Sequence, residues 1–285
     1  MGYTTVNAIQ NLGMVFYTLI FILIVYAMIF LIRVVLRLMN ANADLIISKI
    51  EGWLRNQLLY NTLIRFFIES YIEILISSML QFHQFANQTS GDRFSGFIGV
   101  TLAILSTFMP FILIFFIRKY HSLIKTMDPK LDPINTIFAN LSTSSPATLY
   151  YTAFFMLRRL LFTLSIIFLN YIPMLQIFFL FVSSLATIIY LIYVKPFDSP
   201  LLNRLEIFNE LCLYLMSYPC LFFTDISIED VSGSLTSPSL THFKYNMGWL
   251  VIGVVLLNIG VNMFIMFAIT IRMAWRTLSS RKCRK

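Results

Sequence analysis

The sequence predicts an all-α integral membrane protein, a seven-helix transmembrane bundle with its amino terminus outside and its carboxyl terminus inside. Three observations carry that prediction. Of 285 residues, 58% are hydrophobic and only 12% are charged, and the mean hydropathy is +0.79. Soluble domains carry about 25% charged residues, so a water-soluble core of this size is excluded. The apolar segments run for roughly 20 residues with no polar–apolar alternation, which means helices rather than a barrel. The basic residues fall almost wholly on alternate connecting segments, which sets the orientation.

The expected spans are 12–36, 63–83, 96–117, 149–169, 173–194, 204–223 and 247–271. The first is too long for a cleavable signal peptide and no basic region precedes it, so it reads as a signal-anchor. After it comes "NADLIISKIEGWLRNQL" (42–58), where Leu45, Ile46, Ile50, Trp53 and Leu54 recur near helical spacing. This predicts an interfacial helix on the inner side, with a plain linker as the alternative. The second span contains "RFFIESYIEILISS" and its charges. In the third, "MPF" places Pro110 as a kink. The fourth and fifth are separated only by "NYIP", with Pro173 opening the fifth helix.

The sixth span follows "KPFDSPLLNRLEIFNE" (195–210), a turn at the inner surface. Asn203 fits an N-cap with Glu206 three residues later, or "SP" at 199–200 starts the helix a turn earlier. Both acids then lie near the positive end of the helix, which favours them. The loop 224–246 is polar and Ser-rich. The seventh span carries Gly248, Gly253 and Gly260, which favour close packing, and Asn258 and Asn262, which suit packing hydrogen bonds or a pore lining. A basic tail, 272–285, ends the chain on the cytoplasmic side.

With the amino end outside, sixteen of the 21 Lys and Arg residues fall on the inner side, and only Arg93 and Lys244 outside. Arg65, Arg158 and Arg159 lie within spans. The net charge of +8 is therefore a topology signal rather than a sign of nucleic-acid binding.

Charges inside the spans are the main candidate site. Glu69 and Glu73 sit four apart in the second span, Arg158 and Arg159 are adjacent in the fourth, and Glu206 and Glu210 are four apart in the sixth. Each unpaired charge deep in lipid costs roughly 2.5–3.5 kcal/mol. The second, fourth and sixth spans run in the same direction, so all six charges fall in the inner half or near the midplane. This predicts one buried network in which the arginines pair with carboxylates of the flanking helices, with Arg159 open to a different partner from Arg158. Such a network acts either as structural glue or as the lining of an ion path, a head-group pocket or a gate.

Other signals are sparse. Asn87 heads the glycosylation sequon "NQT" in an outer loop close to the membrane, where chance occurrence is the bland alternative. Cys283, in "RTLSSRKCRK", is a palmitoylation candidate, and the tail can bind anionic lipid or simply anchor. Three cysteines give no disulfide framework, and no metal site, cofactor motif, phosphate loop or nucleophile constellation is present, so no enzyme is expected.

"RRLLF", Gln176, "YVKPF", "NRLEIFNE" and "MGW", in that order, together with "LIRFFIESYIEI", resemble a TRP-like polytopic module of ciliate surface membrane proteins. The fungal flavin-carrier/TRP-like family is similar in a looser way. The resemblance spans about residues 10–275, on motifs amounting to about 30 residues. It implies a cation channel or a channel-related subunit in ion transport. In the ciliate proteins a large Cys-rich ectodomain precedes the module. Only about 11 residues precede the first span here, which puts ligand sensing in doubt and suits a short paralogue or a truncated product. The alternatives from the residues alone are a non-conducting accessory subunit of a membrane assembly and a lipid-handling protein. The expected partners are the lipid bilayer, further copies or other membrane subunits, and cations or anionic lipid, in the plasma membrane or an organelle membrane.

Overall fold

The computed structural model describes residues 7–38, 62–83, 90–125, 135–138, 140–143, 145–223 and 238–282. The expected interfacial helix 42–58, Asn87 and Cys283 lie outside the described residues. The described chain is predominantly helical: α1 (Ala8–Asn11), α2 (Gly13–Leu38), α3 (Leu63–Glu69), α4 (Tyr71–His83), α5 (Ser90–Lys125), α6 (Pro146–Leu149), α7 (Tyr151–Phe168), α8 (Pro173–Val194), α9 (Pro200–Phe222) and α10 (Pro238–Lys282).

Proline at the first helical position opens α6, α8 and α9, where its missing N–H costs nothing and its fixed φ suits the helix. Among the described residues, five helices are long and apolar enough to cross a membrane: Gly13–Leu31, Ser90–Ile124, Tyr151–Phe168, Pro173–Val194 and His242–Arg272. They coincide with the first, third, fourth, fifth and seventh expected spans. The protein is thus a polytopic, membrane-embedded helical chain. The second and sixth expected spans are helical but fall short by length or composition. The second is split into α3 and α4, and α9 carries Arg204, Glu206 and Glu210.

The helices form two compact units, Met1–Phe168 and Leu169–Lys285. In the first, α4 packs on α5 and α7, α5 also packs on α7, and the short α1 seats against α4 and α5. Leu12, Val15 and Ile74 form an apolar centre surrounded by Phe16, Leu19, Phe66, Phe67 and Leu102. Lipid tails are as apolar as leucine, so such packing holds helices together by close contact and internal hydrogen bonds rather than by escape from water. Small and hydroxylated residues therefore share the buried surface: Ser77, Ser78, Ser95, Ser106, Thr163 and Ser165 are all buried. Tyr71, fully buried, donates through its hydroxyl to the Ser106 carbonyl at 2.8 Å and ties α4 to α5.

Gln81 is the polar centre of this unit, only 1% exposed. Its Oε1 accepts from the Ala8 N–H at 2.6 Å and faces the Ser95 hydroxyl at 3.0 Å. Ser95 also donates to Asn7 Oδ1, which in turn accepts from Ile9 N as the N-cap of α1. The short α1 is thus fastened by side chains from α4 and α5.

In the second unit, α9 packs between α8 and α10. Helix α8 is capped by Lys195, which takes a left-handed conformation (φ 48°) and donates its N–H to the Leu191 carbonyl. Asn203 then fixes the turn into α9: Oδ1 accepts from Phe197 N at 3.1 Å while Nδ2 donates to Phe197 O at 2.7 Å. The N-cap position is Ser199, with Pro200 next, so "SP" starts the helix a turn earlier. The Asn203 amide reaches back from inside the first turn instead of capping it.

Candidate functional site

The first unit holds an interrupted helix at the level of the predicted charge network. Helix α3 ends at Glu69, Ser70 has φ −78° and ψ 0°, and α4 starts at Tyr71. A ψ of 0° unwinds the turn, and serine suits such a place because its hydroxyl competes with backbone partners. The final carbonyls of a helix lack donors from the next turn. At membrane depth such groups need partners from within the protein.

Arg159 of α7 supplies them. Its guanidinium donates to the Ile68 carbonyl at 3.0 Å and to the Glu69 carbonyl at 3.2 Å. The same guanidinium lies 4.0 Å from the ring centroid of Phe155, one turn earlier on α7. A positive group at the negative end of a helix is electrostatically favoured, and here it also satisfies orphan acceptors. One intramembrane arginine therefore meets the second expected span, as the network reading requires, but on backbone oxygens. The Glu69 and Glu73 carboxylates are exposed. Among the described residues neither carboxylate has a hydrogen-bond or ion-pair partner. Arg158 is half-buried.

Glu206 and Glu210 belong to the second unit, where Glu206 is half-buried and Glu210 is 7% exposed. Beside Glu210, Asn209 joins α9 to α10. Its Oδ1 accepts from Asn258 Nδ2 at 2.9 Å and from Asn262 Nδ2 at 2.7 Å, and Asn262 also donates to Asn258 O at 2.8 Å. The seventh-span asparagines thus make packing hydrogen bonds, and both remain half-buried. The partner that sequence reading missed is Asn209, visible only as a polar residue between the two acids of "NRLEIFNE". Phe155, Ser70 and Gln81 were missed as well, because serine, phenylalanine and glutamine carry no distinctive spacing.

Among the described residues no three His, Cys, Asp or Glu side chains gather as metal ligands. No protein-family model, curated protein or solved structure matches the chain.

Proposed function

We propose that the chain is a seven-span membrane protein, amino end outside and carboxyl end inside, that acts as a channel-related subunit in cation transport and not as an enzyme. The observation that carries this reading is the exposure of Glu69, at the end of α3, and Glu73, on α4, in a chain of long apolar helices. Two carboxylates facing hydrocarbon are costly, so their faces meet either a hydrated path or a second subunit. A discontinuous helix at the same level supports it, because irregular backbone within a membrane is tolerated where it is covered by protein or lines a water-filled cavity. The resemblance of "LIRFFIESYIEI" and "NRLEIFNE" to the TRP-like module points the same way. The largely exposed apolar surface of α10, where Gly253 and Gly260 have nothing within 4 Å of an added Cβ, suits assembly with other copies or other membrane subunits.

A second reading is a non-conducting accessory subunit. It is favoured by the placement of Arg159 on two carbonyls, which suits a fixed structural joint. Reconstitution of the purified protein into liposomes with a cation-flux assay separates the two. The channel reading expects flux in the wild type and at least a roughly tenfold loss in Glu73→Gln, about 1.4 kcal/mol at the ion's rate-limiting position. Well-folded wild type without flux overturns conduction by this chain alone and leaves the accessory reading.

A further inference from the structure

We propose that two copies of the chain associate side by side along one edge of α10, and that the amide cluster of Asn209, Asn258 and Asn262 is the polar lock between them. The inference rests on the reading of the chain as a subunit, but self-association can be measured without flux. The bonds inside the cluster are one-sided. Asn209 Oδ1 accepts from Asn258 Nδ2 at 2.9 Å and from Asn262 Nδ2 at 2.7 Å, which fills both of its lone pairs. The second N–H of the Asn262 amide goes to Asn258 O at 2.8 Å. Two amide ends are left over. Among the described residues, Asn209 Nδ2 and Asn262 Oδ1 have no hydrogen-bond partner, and both reach the chain surface. One is a donor and the other an acceptor. The 2.7 Å bond between their amides holds them within about 7 Å of each other.

The pair lies near the middle of the apolar run His242–Arg272, where hydrocarbon offers the spare groups no partner. Polar side chains left open in this way hold membrane helices together by bonding across them. A second copy answers both groups at once. Copies of one membrane chain share an orientation, so the twofold axis of a pair runs along the membrane normal and atoms of equal depth meet. Asn209 and Asn262 are bonded to each other and so lie at one depth. Each copy's Asn209 Nδ2 then meets the other's Asn262 Oδ1, and the reciprocal contact closes at two. A fitting edge runs past the cluster. Val255, Ile259, Asn262 and Met266 are spaced by four, three and four, the seam spacing of a helix pair. The three apolar members are exposed, and none of residues 242–272 is buried. One asparagine in an otherwise apolar seam is also how paired helices fix their register and copy number.

The test is oxidative cross-linking of the purified full chain in liposomes, on a background with Cys212, Cys220 and Cys283 replaced, alongside energy transfer between fluorescently tagged copies as lipid is added. Ile259→Cys is expected to cross-link to a dimer. Leu257→Cys, exposed two residues away on the opposite side of α10, is expected to stay monomeric. By energy transfer, Asn262→Leu is expected to associate roughly tenfold more weakly than wild type, for the two reciprocal bonds lost. Asn258→Ala removes an internal bond but leaves both outward groups, and is expected to stay within about twofold of wild type. A wild type that is monomeric at every dilution overturns the proposal. So does an Asn262→Leu protein that associates like wild type, or Leu257→Cys cross-linking as well as Ile259→Cys. Where Asn262→Leu does not fold, the cross-linking pair decides. Dimers without liposome flux keep the interface and reject the conduction reading, and flux from a chain that stays monomeric does the reverse.

Discussion

Asn262 donates its side-chain amide to Asn209 Oδ1 at 2.7 Å, joining α9 and α10 across 53 positions of sequence. The same oxygen accepts from Asn258, so one acceptor serves two donors on successive turns of α10. Asn209→Leu removes both bonds at once and leaves two amides seeking partners. It is expected to destabilise the second unit by about 1–2 kcal/mol, against about 0.6 kcal/mol for Asn258→Ala. Unfolding in mixed micelles, with the Asn209→Leu/Asn258→Ala double variant costing less than the sum of the singles, checks it.

Gly99 faces the Gln81 side chain so closely that an added Cβ would lie 3.0 Å from Oε1 and 3.2 Å from Cγ and Cδ. Gln81 cannot retreat without releasing the Ala8 N–H and the Ser95 hydroxyl. Gly99→Ala is therefore expected to cost about 1–2 kcal/mol in thermal unfolding. Gln81→Leu, which orphans a buried N–H, should cost about 1–3 kcal/mol. In either variant, faster amide exchange confined to the α1 segment is the expected local signature.

The reciprocal pair between the Asn203 amide and the Phe197 backbone closes the turn between α8 and α9. Asn203→Ala leaves the N–H and C=O of Phe197 without these partners at a largely buried place, for an expected loss of about 1–2 kcal/mol. Asn203→Asp keeps the acceptor and loses the donor, and should fall between the two. Chemical denaturation of the three proteins in detergent ranks them.

Exposure of Glu73 on the chain surface leads to a labelling prediction. On a background with Cys212, Cys220 and Cys283 replaced, Glu73→Cys is expected to react with a charged, membrane-impermeant thiol reagent in liposomes. Leu75→Cys, at a fully buried position, is expected to stay unreactive. Reaction of the Glu73→Cys protein with an apolar maleimide alone would place that position against lipid and exclude a hydrated path there.

The long apolar spans were legible because eighteen or more lipid-compatible residues have few alternatives to a helix. Their five best examples lie where hydropathy places them. The second span was legible as helix but not as a broken one. Nothing in "FIESYIE" announces that ψ of Ser70 opens to 0°, since serine is tolerated inside helices. Arg159 was legible as a residue needing a partner. The partner was not, because backbone carbonyls carry no letter in the sequence and only the break makes them available. The asparagines of the last span were legible as packing groups, whereas Asn209 was overshadowed by the acids on either side.

Helix α10 runs for 45 residues, from Pro238 to Lys282, with no proline after its first position. At 1.5 Å per residue that is a rod about 68 Å long, more than twice the roughly 30 Å of a bilayer's hydrocarbon core. Anchored to α9 at Asn258 and Asn262, it has the proportions of a lever with its fulcrum among the membrane-embedded amides. A tilt of a few degrees at that fulcrum, acting over an arm of about 30 Å from Asn262 to Lys282, displaces the far end by about 3 Å.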